Sequence, residues 1–100
     1  MNIKNKKISD ESIKLLYKAI VSIENEEECA LILEDLCTVT EIQAMAQRLE
    51  VAKMLRANNP YTDIVDATRA SSTTVSRVSR CLNYGNGGYH IIFNRIEDKK

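Results

Sequence analysis

YTDIVDATRASSTTVSRVSRCL, residues 61–82, has the pattern of a helix-turn-helix. Ile64 and Val65 supply the apolar side of a short first helix, and Ala70, Ser71 and Ser72 break it. Thr74, Val75, Ser76 and Arg77 open a second helix in which Val75, Val78 and Leu82 share one face. The opposite face carries Ser72, Thr73, Ser76, Arg77 and Arg80. These are short hydroxyls and forked cations, the groups that reach base edges and phosphates when a helix lies in the major groove of double-stranded DNA. Two positions depart from the usual pattern. The turn site that normally takes a glycine in the left-handed region holds Arg69, and the position at the end of the first helix that is often leucine holds Thr68. A side chain in the left-handed region costs about 1 kcal/mol, so a slightly reshaped turn is expected.

Charge supports the same face. The chain has 14 basic and 14 acidic side chains and no net charge, but residues 1–50 hold 6 basic and 10 acidic groups, whereas residues 51–100 hold 8 and 4. No acidic residue lies between Asp66 and Glu97, an interval that contains Arg69, Arg77, Arg80 and Arg95. A basic field is thus local to the second helix of the motif. Lys53, Arg56 and Arg69 are expected at flanking phosphates.

Upstream, residues 1–8 form a short basic arm with Lys4, Lys6 and Lys7, expected to be flexible as termini usually are. Residues 9–100 are expected to form a single helical domain. Ser9 is an N-cap followed by Asp10 and Glu11, and Ile13, Leu16, Tyr17 and Ile20 follow at helical spacing. Asn25 repeats the start signal ahead of Glu26, Glu27 and Glu28, with Glu28 at the capping-box position. The helix that follows, around CALILEDLC at residues 29–37, is apolar over most of its circumference and so needs cover on more than one side. A second subunit can provide it. Thr38 and Glu41 form a further capping box that opens the longest helix, about residues 39–57. Ile42, Met45, Leu49 and Ala52 make its stripe, widened by Ala44, Val51 and Leu55, and Arg48 lies beside it. Asn58, Asn59 and Pro60 end that helix, with Pro60 expected at the first position of the next.

After the motif, residues 83–88 (NYGNGG) contain all three glycines and stop the helix. No strand precedes this run and no GK[ST] follows it, which argues against a phosphate cradle. Tyr89, Ile92, Phe93 and Ile96 mark a last short helix, making six helices and an all-α fold.

At 100 residues and 44% hydrophobic content the chain suits one domain whose burial is marginal for a monomer. It has no apolar run long enough to cross a bilayer and no secretory leader pattern, so a cytoplasmic protein without membrane contact is expected. Cys29, Cys37 and Cys81 form no CxxC pair and are expected to be buried free thiols, with neither a disulfide framework nor a metal site. His90, the one histidine, has no cysteine or carboxylate at dyad spacing, so no catalytic site and no enzyme is expected; it reads as a surface or packing residue, or as a pH sensor.

The segments LCTVTEIQAMAQRLEVAKML (residues 36–55) and TVSRVSRCLNYGNGGY (residues 74–89), with their spacing, resemble the Trp repressor family, closest to its YerC/YecD-type branch, over about residues 36–96. The resemblance implies a six-helix Trp-repressor-like fold assembled as an intertwined homodimer, and a DNA-binding transcriptional repressor. Two symmetric heads then address half-sites about one DNA turn apart, a spacing taken from helix-turn-helix dimers, the Trp repressor among them. In that family a co-repressor lies between two arginines, helped by threonines, and Arg48, Arg77, Thr38 and Thr74 are similar to those residues. Two neighbours differ. The family's glycine beside the recognition-helix arginine is Val78, and its ammonium-binding serine is Cys81. A β-branched side chain fills the space of an indole, and a thiol is a weak hydrogen-bond partner. The resemblance, with these departures, implies a small-molecule co-repressor other than L-tryptophan, or none. The alternative to a DNA regulator is a helical module that binds protein or RNA and uses the helix-turn-helix as scaffold.

Overall fold

The computed structural model describes residues 9–97; the expected basic arm at residues 1–8 lies outside them. Six helices follow in order, α1 Asp10–Val21, α2 Glu26–Leu36, α3 Val39–Arg56, α4 Tyr61–Thr68, α5 Ser72–Tyr84 and α6 Gly88–Glu97, and there is no strand among the described residues. No described helix is long and apolar enough to cross a membrane. The chain gathers into two compact units that divide between Val39 and Thr40.

In the first unit the caps set the boundaries. Ser9 is extended and its Oγ accepts from the Ser12 N–H at 3.1 Å, with Asp10 and Glu11 in the first turn of α1. Asn25 Oδ1 accepts from the Glu28 N–H at 2.8 Å, and the Glu28 carboxylate reaches back to the Glu24 N–H at 3.2 Å, closing the start of α2 from both directions. Neither helix buries a residue. Large apolar side chains stand in the open, among them Val21 at 82% and Leu31 at 67% exposure.

The second unit holds the core. Val51 and Ala52 of α3, Ile64 of α4, Ala70 of the turn, Val75 and Val78 of α5 and Phe93 of α6 are buried, with Met54, Leu55, Val65, Leu82 and Tyr89 packed against them. The expected α3 stripe is therefore buried only in its last turns. Ile42 and Met45 are half-buried and Leu49 is exposed. At the end of α3, Asn58 takes the left-handed conformation (φ 63°), its N–H donates to Leu55 O, and the Asn59 N–H donates to Met54 O. That pair of bonds is a Schellman ending. Pro60 lies one position earlier than expected: with ψ 153° it is the cap of α4, and its carbonyl accepts the first helical bond from the Ile64 N–H.

The turn of the helix-turn-helix is not reshaped. Arg69 stays left-handed at φ 60°, ψ 13°. Thr68 explains how, because its Oγ1 donates to Ile64 O at 2.7 Å and accepts from the Ala70 N–H at 3.2 Å, while its carbonyl accepts from Gln47 Nε2 at 3.2 Å. The two departures from the common pattern thus work together: a polar residue where leucine is usual pins a turn that lacks glycine. Arg69→Gly removes the Cβ conflict and should raise the stability of the unit by about 1 kcal/mol, read as a higher urea midpoint at unchanged slope.

Helix α5 starts two residues before the expected Thr74. Ser71 is extended and its Oγ accepts from the Thr74 N–H at 3.1 Å, which places Ser72 and Thr73 in the first turn. At the other end the Gly85 N–H donates to Cys81 O, and a Cβ on Gly85 would lie 2.4 Å from that same oxygen. Gly87 has φ 86°, so the run at residues 85–88 stops α5 and reverses the chain.

Candidate nucleic-acid interface

Val75 and Val78 turn α5 onto the core, and this fixes what its outer face presents. Ser72, Thr73, Ser76, Arg77 and Arg80 are all exposed and line one shallow depression. From Ser72 to Arg80 the face runs eight residues, about 12 Å at 1.5 Å per residue, close to the width of a major groove. No acidic residue lies in the first turn of α5, so the positive end of the helix dipole is uncompensated. Arg56 is paired with Glu97, whereas Arg77 and Arg80 have no carboxylate partner among the described residues. Two guanidiniums, three hydroxyls and a helix N-terminus without an acidic residue form a surface suited to a polyanion with hydrogen-bonding edges.

The flanking cations separate. Arg69 is exposed at the turn and lines a different depression, with Gln43, Gln47, Glu50 and Thr68. Lys53 is exposed on α3 and lines a third, with Phe93, Ile96 and Glu97. Arg56, also expected at a phosphate, has partners within the chain. Its guanidinium is 2.7 Å from His90 Nδ1, donates to Asn94 Oδ1 at 3.0 Å, pairs with Glu97 at 3.5 Å and stands 5.6 Å from the centroid of the Phe93 ring. A half-buried guanidinium so occupied ties α3 to α6.

The candidate effector residues do not meet in one concavity of the second unit. Val78 is 1% exposed and belongs to the core, Arg77 lies in the α5 depression, and Thr74 is half-buried with its Oγ1 3.1 Å from Ser71 Oγ. Arg48 is half-buried on α3, and Thr38 belongs to the first unit. Cys81 lines a mostly apolar depression with Gly85, Asn86, Gly88, Tyr89 and Ile92. It is exposed, which corrects the expectation of a buried thiol, while Cys29 and Cys37 are half-buried and all three cysteines are free.

Reading by sequence missed Gln47 as the brace of the turn and His90, Asn94 and Glu97 as partners of Arg56. No local signal marks pairs separated by 21 to 41 residues.

The comparisons with known proteins agree with this geometry. Residues 11–97 match the family model of the Trp repressor protein. YerC of Bacillus subtilis (strain 168) is 47% identical over 92 residues, covering 92% of this chain and 88% of the relative. The crystal structure of a TrpR-like protein from Eubacterium eligens superimposes with a TM-score of 0.85 at 45% identity, over 93% of this chain and 96% of that one. A second structure, from Staphylococcus aureus, gives the same TM-score at 41% identity over 96% of both chains. With its six helices, its α4–turn–α5 head and a family match along nearly its whole length, the chain belongs to the Trp repressor family.

Proposed function

We propose that the protein is a sequence-specific DNA-binding transcriptional regulator, a repressor, that binds a near-palindromic operator as a homodimer in the cytoplasm. The observation that carries this reading is the outer face of α5, where Ser72, Thr73, Ser76, Arg77 and Arg80 share one depression and neither arginine has a carboxylate partner among the described residues. Arg69 and Lys53 contact flanking phosphates in this reading, and Arg56 does not. The homodimer is supported by α1 and α2, which bury nothing and expose large apolar side chains. A second copy interlocking with them completes residues 9–100 as one helical domain.

The co-repressor of this proposal, where one is used, is a small molecule other than L-tryptophan. Val78 supports the exclusion, since its side chain is packed in the core at the position where the family has glycine.

Selection from a pool of random duplex DNA tests the reading. The expected result is a near-palindrome with half-sites about one turn, roughly 10 base pairs, apart. A pool that enriches no motif contradicts sequence-specific binding.

A further inference from the structure

The depression on α5 is lined by Ser72, Thr73, Ser76, Arg77 and Arg80, with no carboxylate and no carboxamide among them. That selection of groups is not neutral towards sequence. Each base shows its own pattern on the major-groove edge, and each pattern needs a different partner. Adenine, with a donor beside an acceptor, is matched by the carboxamide of Asn or Gln. The cytosine amino group donates and is matched by a carboxylate. Guanine offers two neighbouring acceptors, O6 and N7, which fit a fork that only donates. The α5 face therefore lacks the pairing groups for adenine and cytosine and holds the one for guanine twice. The carboxamide on the exposed side of α5, Asn83, is in the last turn and outside the depression. Ser72, Thr73 and Ser76 are tolerant by comparison, since a hydroxyl both donates and accepts.

We infer that Arg77 and Arg80 are specificity-determining residues that each read a guanine, so that every operator half-site carries two guanines, adjacent or one base pair apart, beside positions of looser sequence. This rests on reading α5 as the DNA-binding helix. The spacing follows from the helix. Three residues advance about 4.5 Å along α5, against about 3.4 Å for one base-pair step, and both side chains open into the same depression. Either strand can supply each guanine, because both edges of a base pair face the groove. Both guanidiniums are exposed and neither has a carboxylate partner among the described residues, so no ion pair has to break before they engage DNA. Arg69 and Lys53, exposed outside this depression, supply charge for phosphates and leave the two forks to the bases.

7-Deazaguanine separates base reading from phosphate clamping. It keeps Watson–Crick pairing and O6 but has no N7 acceptor, so it removes half of the match to a fork. Selection from random duplex DNA should return the guanine pair in each half-site. Exchanging either guanine for another base should lower wild-type affinity about 5- to 150-fold, and 7-deazaguanine at the same position about fivefold. In Arg77→Ala one of the two positions should accept any base with less than about twofold change, and in Arg80→Ala the other should. Arg77→Lys and Arg80→Lys keep the charge without the planar fork. They should bind random duplex within about twofold of wild type, which shows an intact fold, while guanine preference drops about fivefold. A selected half-site without the guanine pair overturns the inference and leaves sequence-specific binding standing. Unchanged affinity for the 7-deazaguanine duplexes also overturns it and makes both arginines phosphate clamps, as does guanine preference that survives in both alanine variants. A selection that enriches no motif removes the DNA reading itself, and the inference falls with it.

Discussion

Arg77→Ala combined with Arg80→Ala lowers affinity for the selected operator roughly 30- to 20,000-fold at 0.15 M salt. A guanidinium on a base edge contributes about 1–3 kcal/mol of discrimination, so the pair carries about 2–6 kcal/mol, and each 1.4 kcal/mol is tenfold. The substitution spares the fold, because both side chains are exposed, neither has a carboxylate partner among the described residues, and alanine favours the helix. Salt dependence separates the two ways in which these arginines can act. If they read bases, the loss is concentrated on the selected duplex and affinity for random DNA falls little. If they only clamp phosphates, both affinities fall together and the log–log salt slope drops by about one per arginine. Gel-shift or anisotropy titrations at three salt concentrations provide both numbers. An unchanged affinity for the selected operator removes this face from the interface.

Ile64→Ala should destabilise the second unit by about 2–5 kcal/mol, measured by urea unfolding. Ile64 is fully buried and is one of the four largest such side chains, all of them within a core drawn from seven buried residues of α3, α4, the turn, α5 and α6. A unit of this size has few neighbours able to collapse into the gap. Total stabilities of small domains are about 5–15 kcal/mol, so the loss is a large share of the whole. Because Ile64 also supplies the carbonyl that binds Thr68 Oγ1, the cavity opens beside the bracing of the turn, and operator binding should fall with stability. Thr62→Ala, at an exposed position of the same helix, should stay within about 0.5 kcal/mol of wild type.

The fold was legible where a local chemical signal has one meaning. Ser9 and Asn25 begin α1 and α2 where their side chains, with acids behind them, said they would. The alternation of Val75 and Val78 with Ser76, Arg77 and Arg80 separated the buried from the exposed side of α5 without reference to any other helix. The start of α5 was less legible because Ser71, Ser72, Thr73 and Thr74 can each cap a helix. The choice of Ser71 follows from tertiary placement, with Arg69 left-handed and Ala70 buried just before it. Arg69 itself looked like a conflict, since the residues that brace its turn include Gln47 from another helix. The partners of Arg56 were hidden for the same reason. A basic residue in the last turn of a helix near a DNA-binding motif suggests a phosphate contact, and only the return of α6 brings His90, Asn94 and Glu97 against it. The α3 stripe overstated burial within one chain, because periodicity reports that a face is apolar and not what covers it.

The central claim, that the outer face of α5 reads DNA, is tested most directly by titrating 15N-labelled protein with the selected duplex and following backbone amide shifts. The largest changes are expected at residues 72–80, with smaller ones at Arg69 and Lys53. Changes concentrated in α1, α2 or α6, with residues 72–80 unmoved, would contradict it.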